Sequence, residues 1–152
     1  MTQAAKAPGR VLVVDDDRSV CTLVDRVLSA RGWSVTLAPS AEDADDLVVL
    51  SDWDAVLIDK NLPRTSGLEF AERVRARQPA AGIVLMTAQP DAAMRKGAYD
   101  AYLPTPFRSL DELAASVVAA QERRRRNLQV DELKQKLVTV TSSLTPPPLR
   151  RS

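Results

Sequence analysis

The sequence contains no histidine. That rules out zinc sites built on imidazole, Ser-His-Asp catalysis, and any role for this chain as a histidine phosphotransfer protein. There is a single cysteine, Cys21, so no intrachain disulfide can form, and a reducing cytoplasm is the expected compartment. Aromatic residues make up only 4 % of the chain, which leaves aliphatic side chains to fill the core. No apolar run approaches the roughly 20 residues a membrane-spanning helix needs, and residues 1–9 carry no hydrophobic signal region.

What is present fits an ordinary globular domain with some length to spare. Hydrophobic residues account for 45 % of the 152 and charged residues for 27 %, a balance typical of a folded chain. The net charge of +1 conceals an asymmetry. Residues 1–120 hold 13 basic and 17 acidic side chains, whereas residues 121–152 hold 8 basic and 3 acidic. An acidic body with a basic tail implies two separate tasks.

Short runs of β-branched and aliphatic residues alternate with stretches of helical periodicity. Arg10–Val14 reads as a strand buried on both faces and runs into Asp15, Asp16 and Asp17. Val20, Leu23, Val24, Val27 and Leu28 recur at helical spacing, and Gly32 stops that helix. Residues 33–38 form a second strand. Ser40 and Asp43 open a helix with Ala44, Leu47, Val48 and Leu50 on its apolar side. Residues 54–59 form a third strand, again ending in aspartate. Ser66 and Glu69 form a capping box before a helix that buries Leu68, Phe70, Ala71 and Val74. Residues 82–88 form a fourth strand, residues 89–96 leave room for about two helical turns, and residues 99–105 hold a brief fifth strand. Ser109 and Glu112 open a last helix with Leu110, Leu113 and Val117 on one face. Five β-α units in succession predict a parallel sheet with helices on both faces and the strand order 2-1-3-4-5.

In that order the first and third strands are neighbours, and ligands bind outside their carboxyl ends. Asp15, Asp16 and Asp59 would therefore converge in one crevice. Three like charges that close need compensation. Magnesium, a hard cation that takes carboxylates, water and phosphate oxygens, supplies it. Such a site suits phosphoryl transfer with Asp59 as nucleophile. The plainer reading is that these aspartates only cap helix N-termini.

Over residues 9–121 the chain resembles the receiver domains of bacterial two-component systems. "VLVVDDDRSV" is similar to their first-strand acidic pair. "AVLIDKNLPRTSGLEF" is similar to their phosphoacceptor segment, with Pro63 and Gly67 at the usual spacings. "IVLMTA" places Thr87 at the switch hydroxyl, and "GAYDAYLPTPF" resembles the final strand and its proline-aromatic turn. The resemblance implies a flavodoxin-like (βα)5 fold and a bacterial cytoplasmic, non-enzymatic signalling protein. It implies that Asp59 accepts phosphate from a sensor histidine kinase or a histidine phosphotransfer protein. It further implies that Asp16 binds Mg²⁺ directly, that Asp15 assists through water, and that Asn61 offers its backbone carbonyl to the metal. Thr87 would bond a phosphoryl oxygen, and Tyr102 would be the aromatic whose rotamer follows.

The pattern breaks in two places. Thr105 stands where the family has a lysine, so a hydrogen bond replaces a charge-assisted one about twice as strong. The fourth helix is shorter than in the family, which alters a surface used for output. Lys60 and Lys96 are candidate replacement cations, though both read more simply as solvated charges. Two outcomes stay open: a phosphoacceptor with an unusual switch, or a degenerate receiver that docks regardless of phosphorylation.

Residues 1–8 read as a flexible lead-in, 122–144 as a basic helical extension, and 145–152 as a disordered tail. Val130, Leu133, Leu137, Val140 and Leu144 are spaced 3, 4, 3 and 4, a short coiled-coil seam. It is out of phase with Leu110, Leu113 and Val117, so the helix either changes its contact face near Leu128 or breaks there. The seam offers a homodimer contact, a dock for a downstream protein partner, or a surface that folds back on the domain. Arg123–Arg126 reads as a solvated helix face. The length after residue 121 leaves no room for a DNA-binding domain of normal size.

Overall fold

The computed structural model describes residues 9–88 and 98–144, with side chains through Val140. The elements run β1 (Arg10–Val14), α1 (Arg18–Ala30), β2 (Ser34–Ala38), α2 (Ala41–Leu50), β3 (Ala55–Asp59), α3 (Gly67–Arg77), β4 (Gly82–Thr87), β5 (Ala101–Pro104) and α4 (Leu110–Leu144). The sheet is parallel throughout, in the order β2-β1-β3-β4-β5, as the alternation predicts. The short helix expected over residues 89–96, the lead-in 1–8 and the tail 145–152 lie outside the described residues.

The central strands are buried on both faces, and their alternation feeds two cores. Val11 and Val13 join Val24, Leu28, Leu57, Val84, Leu113 and Val117 in a layer under α1 and α4. Leu12 and Val14 join Ile58, Phe70, Val74, Ile83 and Leu85 in a layer under α2 and α3. All six residues of β4 are buried. Edge strand β2 buries only Ala38.

Helix starts follow the expected side chains. Asp17 caps α1, its carboxylate accepting from the Ser19 and Val20 amides. Ser40 caps α2 by accepting from the Asp43 amide at 3.1 Å, and its hydroxyl donates to the Asp43 carboxylate at 2.9 Å. Ser66 accepts from the Leu68 amide and Ser109 from the Glu112 amide. Three apolar positions differ from expectation. Leu23, Leu50 and Leu110 are exposed at 36 %, 78 % and 47 %. In α1 and α2 the inward positions go instead to Cys21 and Ala41, which are small enough for the helices to lie close to the sheet.

The last helix does not break near Leu128; α4 is continuous for 35 residues, and its apolar side changes face there, from the buried Leu113, Val117 and Ala120 to the exposed Val130, Leu133, Leu137 and Val140. It runs antiparallel to the strands. Its start follows the carboxyl end of β5, and Ala120 and Gln121 meet Gly82, the first residue of β4. A Cβ on Gly82 would stand 2.6 Å from the Gln121 nitrogen, so only glycine lets helix and strand approach this closely. Beyond the half-buried Leu128 every described side chain of the helix is exposed.

Arg123 and Arg124 are not merely solvated. Arg123 donates to the Asp100 carbonyl at 3.1 Å, and Arg124 donates through Nε to the Pro79 carbonyl. Beneath them Arg75 pairs with Asp100 at 2.5 Å, and those side chains are 14 % and 3 % exposed. The Asp100 carboxylate also accepts from the Ile83 amide at 2.8 Å. Burial lowers the Arg75 pKa, and the Asp100 charge opposes that shift. This cluster pins α3, β4, the approach to β5 and α4 at one end of the sheet.

Candidate functional site

The opposite end, outside the carboxyl ends of the strands, carries the acidic residues. β1 pairs with β3 so that Val14 stands beside Ile58, and one step further along each strand come Asp15 and Asp59. One carboxylate oxygen from each of Asp15, Asp16 and Asp59 lies within 4.8 Å of the others. The convergence inferred from strand order is thus present. Asp15 is buried at 5 % exposure, Asp59 is half-buried and Asp16 is exposed.

Local turns fix two of the carboxylates. Asp15 Oδ1 accepts from the Asp17 amide at 2.9 Å, and Asp59 Oδ1 accepts from the Asn61 amide at 3.0 Å. Helix capping, the plainer reading of the aspartate run, holds for Asp17 alone. The Cys21 thiol donates to the Asp15 carbonyl at 3.2 Å. Burial, reinforced by the charges of Asp15, Asp17 and Asp16, pushes that thiol up to about 11, so Cys21 is a packing residue with no thiolate at neutral pH.

The chain after β3 is held tightly. The Lys60 amide donates to the Met86 carbonyl and the Gly67 amide to the Lys60 carbonyl, both at 2.8 Å. Arg64 takes a left-handed φ of 68° within this loop. A Cβ on Gly67 would fall 2.0 Å from the Asp59 carbonyl oxygen and 2.6 Å from Lys60 Cα. Glycine at 67 is therefore required by the backbone that presents Asp59.

The electrostatics record the crowding. Desolvation by burial raises the Asp15 pKa to about 6; the Asp17 amide opposes this, and the charges of Asp59, Asp16 and Asp17 add to it. Asp59 is also raised, first by burial and then by the Asp16 charge, against the Asn61 amide and a hydrogen bond with Asp15. A set of hard oxygen donors, held close at an energetic cost while charged, fits a divalent cation of the magnesium class.

Thr87 closes β4 one residue past Met86, the register partner of Asp59. It is buried at 1 % exposure, and its carbonyl accepts from the Thr105 amide at 3.0 Å. Thr105 is half-buried just past β5 and precedes a cis peptide bond to Pro106. Tyr102 lies on β5 opposite Leu85 and is 45 % exposed. It borders a groove with Tyr99, Arg123 and Asn127. Lys60 is half-buried next to Asp59; Lys96 lies outside the described residues. Sequence reasoning misses the Arg75–Asp100 pair. Its one signal, a lone acid just before an apolar strand, is too common to single out.

The family model for the response regulator receiver domain matches residues 11–116. The response regulator MprA of Mycolicibacterium vanbaalenii is 40 % identical over 120 residues, covering 76 % of this chain and 52 % of that protein. The MprA of Mycobacterium ulcerans is 35 % identical over 146 residues, covering 93 % and 62 %. The chain thus spans about half to three-fifths of the length of these relatives. Among solved structures, a CheY-like receiver domain protein from Methanospirillum hungatei superposes with a TM-score of 0.72 at 21 % identity, covering 78 % of this chain and 98 % of that one. The signal receiver domain of an HD domain-containing protein from Pseudomonas fluorescens gives 0.73 at 22 %, covering 84 % and 97 %. At these identities the structures establish the fold.

Proposed function

Because this chain belongs to the response regulator receiver family, we propose that it accepts a phosphoryl group on Asp59 and signals by a change in protein–protein contacts. The observation that carries this reading is the meeting of Asp15, Asp16 and Asp59 oxygens within 4.8 Å, next to the buried Thr87 that ends the adjoining strand. The donor is a phosphohistidine on a sensor kinase or a phosphotransfer protein. An Asp59 carboxylate oxygen attacks phosphorus, the nitrogen–phosphorus bond breaks, and the imidazole leaves with the bonding pair. The product is an acyl phosphate on Asp59.

Asp16, Asp59 and the Asn61 carbonyl would hold Mg²⁺, with Asp15 assisting through water. When bound, the ion neutralises negative charge on the phosphoryl oxygens and lets the carboxylates share one pocket. The half-burial of Asp59 limits water around the nucleophile. Thr87 supplies a hydroxyl for a phosphoryl oxygen, and Thr105, tied by its amide to Thr87, follows that movement. Tyr102, exposed on the edge strand, is the group whose rearrangement a partner would read. The chain itself carries the phosphoryl group and turns over no small substrate. Its receiver unit spans residues 9–121.

One observation favours a second reading. Thr105 cannot supply the cation that normally ties phosphorylation to conformation, so the domain would dock its partner in one fixed state. Incubation with acetyl phosphate and Mg²⁺ separates the two. Asp59-dependent labelling, lost in Asp59→Asn, supports the first reading. No labelling, with partner binding unchanged in Asp59→Asn, supports the second.

No helix among the described residues is long and apolar enough to cross a membrane.

A further inference from the structure

We propose that the groove between β5 and α4 binds a nucleotide, with its phosphates on Arg123 and Arg124 and its base beside Tyr102 and Asn127. The proposal stands apart from the phosphorylation reading. The groove lies towards the end of the sheet away from the three carboxylates, and neither Asp59 nor a metal ion takes part.

The groove has a volume of about 420 Å³, within the range of small-ligand sites. Tyr99 and Tyr102 line it from the edge strand and its approach, and Arg123, Arg124 and Asn127 line it from the helix. Tyr102 is 45 % exposed. Arg123 and Asn127 are exposed, and Tyr99 and Arg124 are half-buried. The aromatic and the charged side of the groove are thus both open to a ligand.

Cations outnumber anions around it. The guanidiniums of Arg75, Arg123 and Arg124 gather about one carboxylate, that of Asp100. That carboxylate is 3 % exposed and already serves Arg75 and the Ile83 amide. Arg123 and Arg124 each bond to one backbone carbonyl, and among the described residues neither forms an ion pair. A guanidinium carries five N–H donors, so most of theirs remain for a ligand. Glu122, the neighbouring acid on α4, lies in a different groove with Arg31 and Trp33. Burial lowers the Arg75 pKa, Asp100 opposes this, and the Arg124 charge adds to the lowering, so the two guanidiniums repel. Arg75 Nε is buried with no acceptor among the described residues. The cluster carries more donors and more positive charge than the chain itself satisfies.

A phosphate group answers that imbalance. Arginine binds phosphate through paired N–H bonds, and two adjacent guanidiniums suit one compact, multiply charged group. An acidic peptide spreads its carboxylates along a chain and leaves the tyrosine rings unused. The rings offer a stacking surface for a base, and the Asn127 amide offers a donor and an acceptor for its polar edge. A free nucleotide and one unit of a single-stranded nucleic acid share this chemistry.

Titration of the isotope-labelled full chain with ADP tests the proposal. EDTA is present throughout, so that the metal-free carboxylates repel the nucleotide from their own pocket. Amide NMR shifts of Ala101, Tyr102, Arg123 and Asn127 should saturate below about 5 mM. Adenosine and pyrophosphate should each bind at least about tenfold more weakly than ADP, since each keeps only the base or only the phosphates. Arg123→Gln and Asn127→Leu should each weaken ADP binding by about threefold or more. Both side chains are exposed, and a urea midpoint matching wild type shows that the fold is kept; Asn127→Leu carries the test if Arg123→Gln fails to fold. A short oligoadenylate that binds more tightly than ADP identifies a single strand as the source, and equal or weaker binding identifies a free nucleotide. The proposal is overturned if no shift at the groove saturates, if adenosine or pyrophosphate binds as tightly as ADP, or if the folded variants keep full affinity.

Discussion

Replacing Asp15 with asparagine should make the metal-free protein more stable. Asp15 is 5 % exposed, and burial together with its acidic neighbours pushes its pKa from 3.8 to about 6. Each unit is worth 1.36 kcal/mol, so the charged carboxylate costs the fold roughly 3 kcal/mol at pH 8. The substituted side chain keeps an oxygen for the Asp17 amide and removes the charge, but burying its amide returns about 1–2 kcal/mol of that gain. The net expectation is about 1–2 kcal/mol of added stability at pH 8 in EDTA, or roughly 3–6 °C in melting temperature for a domain of this size. The sign follows from proton uptake. Between pH 3.8 and about 6 the folded wild type holds more protons than the unfolded chain, so its stability falls as pH rises through that window and levels off above it. The Asp15→Asn variant lacks this slope, so its advantage over wild type should vanish near about pH 5 and become a deficit of about 0.5–1.5 kcal/mol near pH 4. Mg²⁺ should stabilise the wild type at pH 8, by about 1.4 kcal/mol at tenfold excess over its dissociation constant, and the variant less. Urea unfolding at pH 8 and pH 4.5, with EDTA or Mg²⁺, measures all four quantities. If the variant is no more stable than wild type at pH 8 without metal, the account of a crowded carboxylate pocket is wrong.

Further outcomes follow from other contacts. Gly67→Ala should lower stability by about 1–3 kcal/mol, because the new methyl meets the Asp59 backbone, and should slow acetyl phosphate labelling; the urea midpoint and a labelling time course check it. Arg75→Met removes the cation from the buried Asp100 carboxylate and leaves it the Ile83 amide, and should cost about 3–5 kcal/mol in urea unfolding; a loss under about 1 kcal/mol would mean that water replaces the guanidinium. Thr105→Lys restores a cation near Asp59 and should lower its pKa. It should also enlarge the phosphorylation-dependent NMR shifts along β4 and β5, consistent with a charge-assisted bond of about 2 kcal/mol; unchanged shifts would count against Thr105 as the weak link in the switch.

Strand order and the acidic pocket are legible in the sequence for the same reason. Buried parallel strands leave continuous apolar runs, as in Val11–Val14, Ala55–Ile58 and Ile83–Met86, and the residues that end them fall at one edge of the sheet. Helix starts are legible from Ser40, Ser66 and Ser109, since capping is local chemistry. Less legible is which apolar residues of a helix lie inward. Leu23, Leu50 and Leu110 fit a periodic template yet lie exposed; in α1 and α2 the smaller Cys21 and Ala41 take places against the sheet, and in α4 the inward face begins at Leu113. The fate of Arg123 and Arg124 is not legible either. Their acceptors are the backbone carbonyls of Asp100 and Pro79, which carry no sequence signature. The same holds for Gly82, whose requirement comes from a helix that arrives almost forty residues later.

The seating of α4 also has a mechanical consequence. About 19 residues of the helix lie along the domain, and about 16 more extend from that clamp as a rod roughly 24 Å long. A tilt of only about 10° at the root sweeps the tip through about 4 Å. The root rests on β4 with no side chain at Gly82 as cushion, so a sub-ångström adjustment in the strand that ends at Thr87 becomes a displacement that a neighbouring molecule can sense.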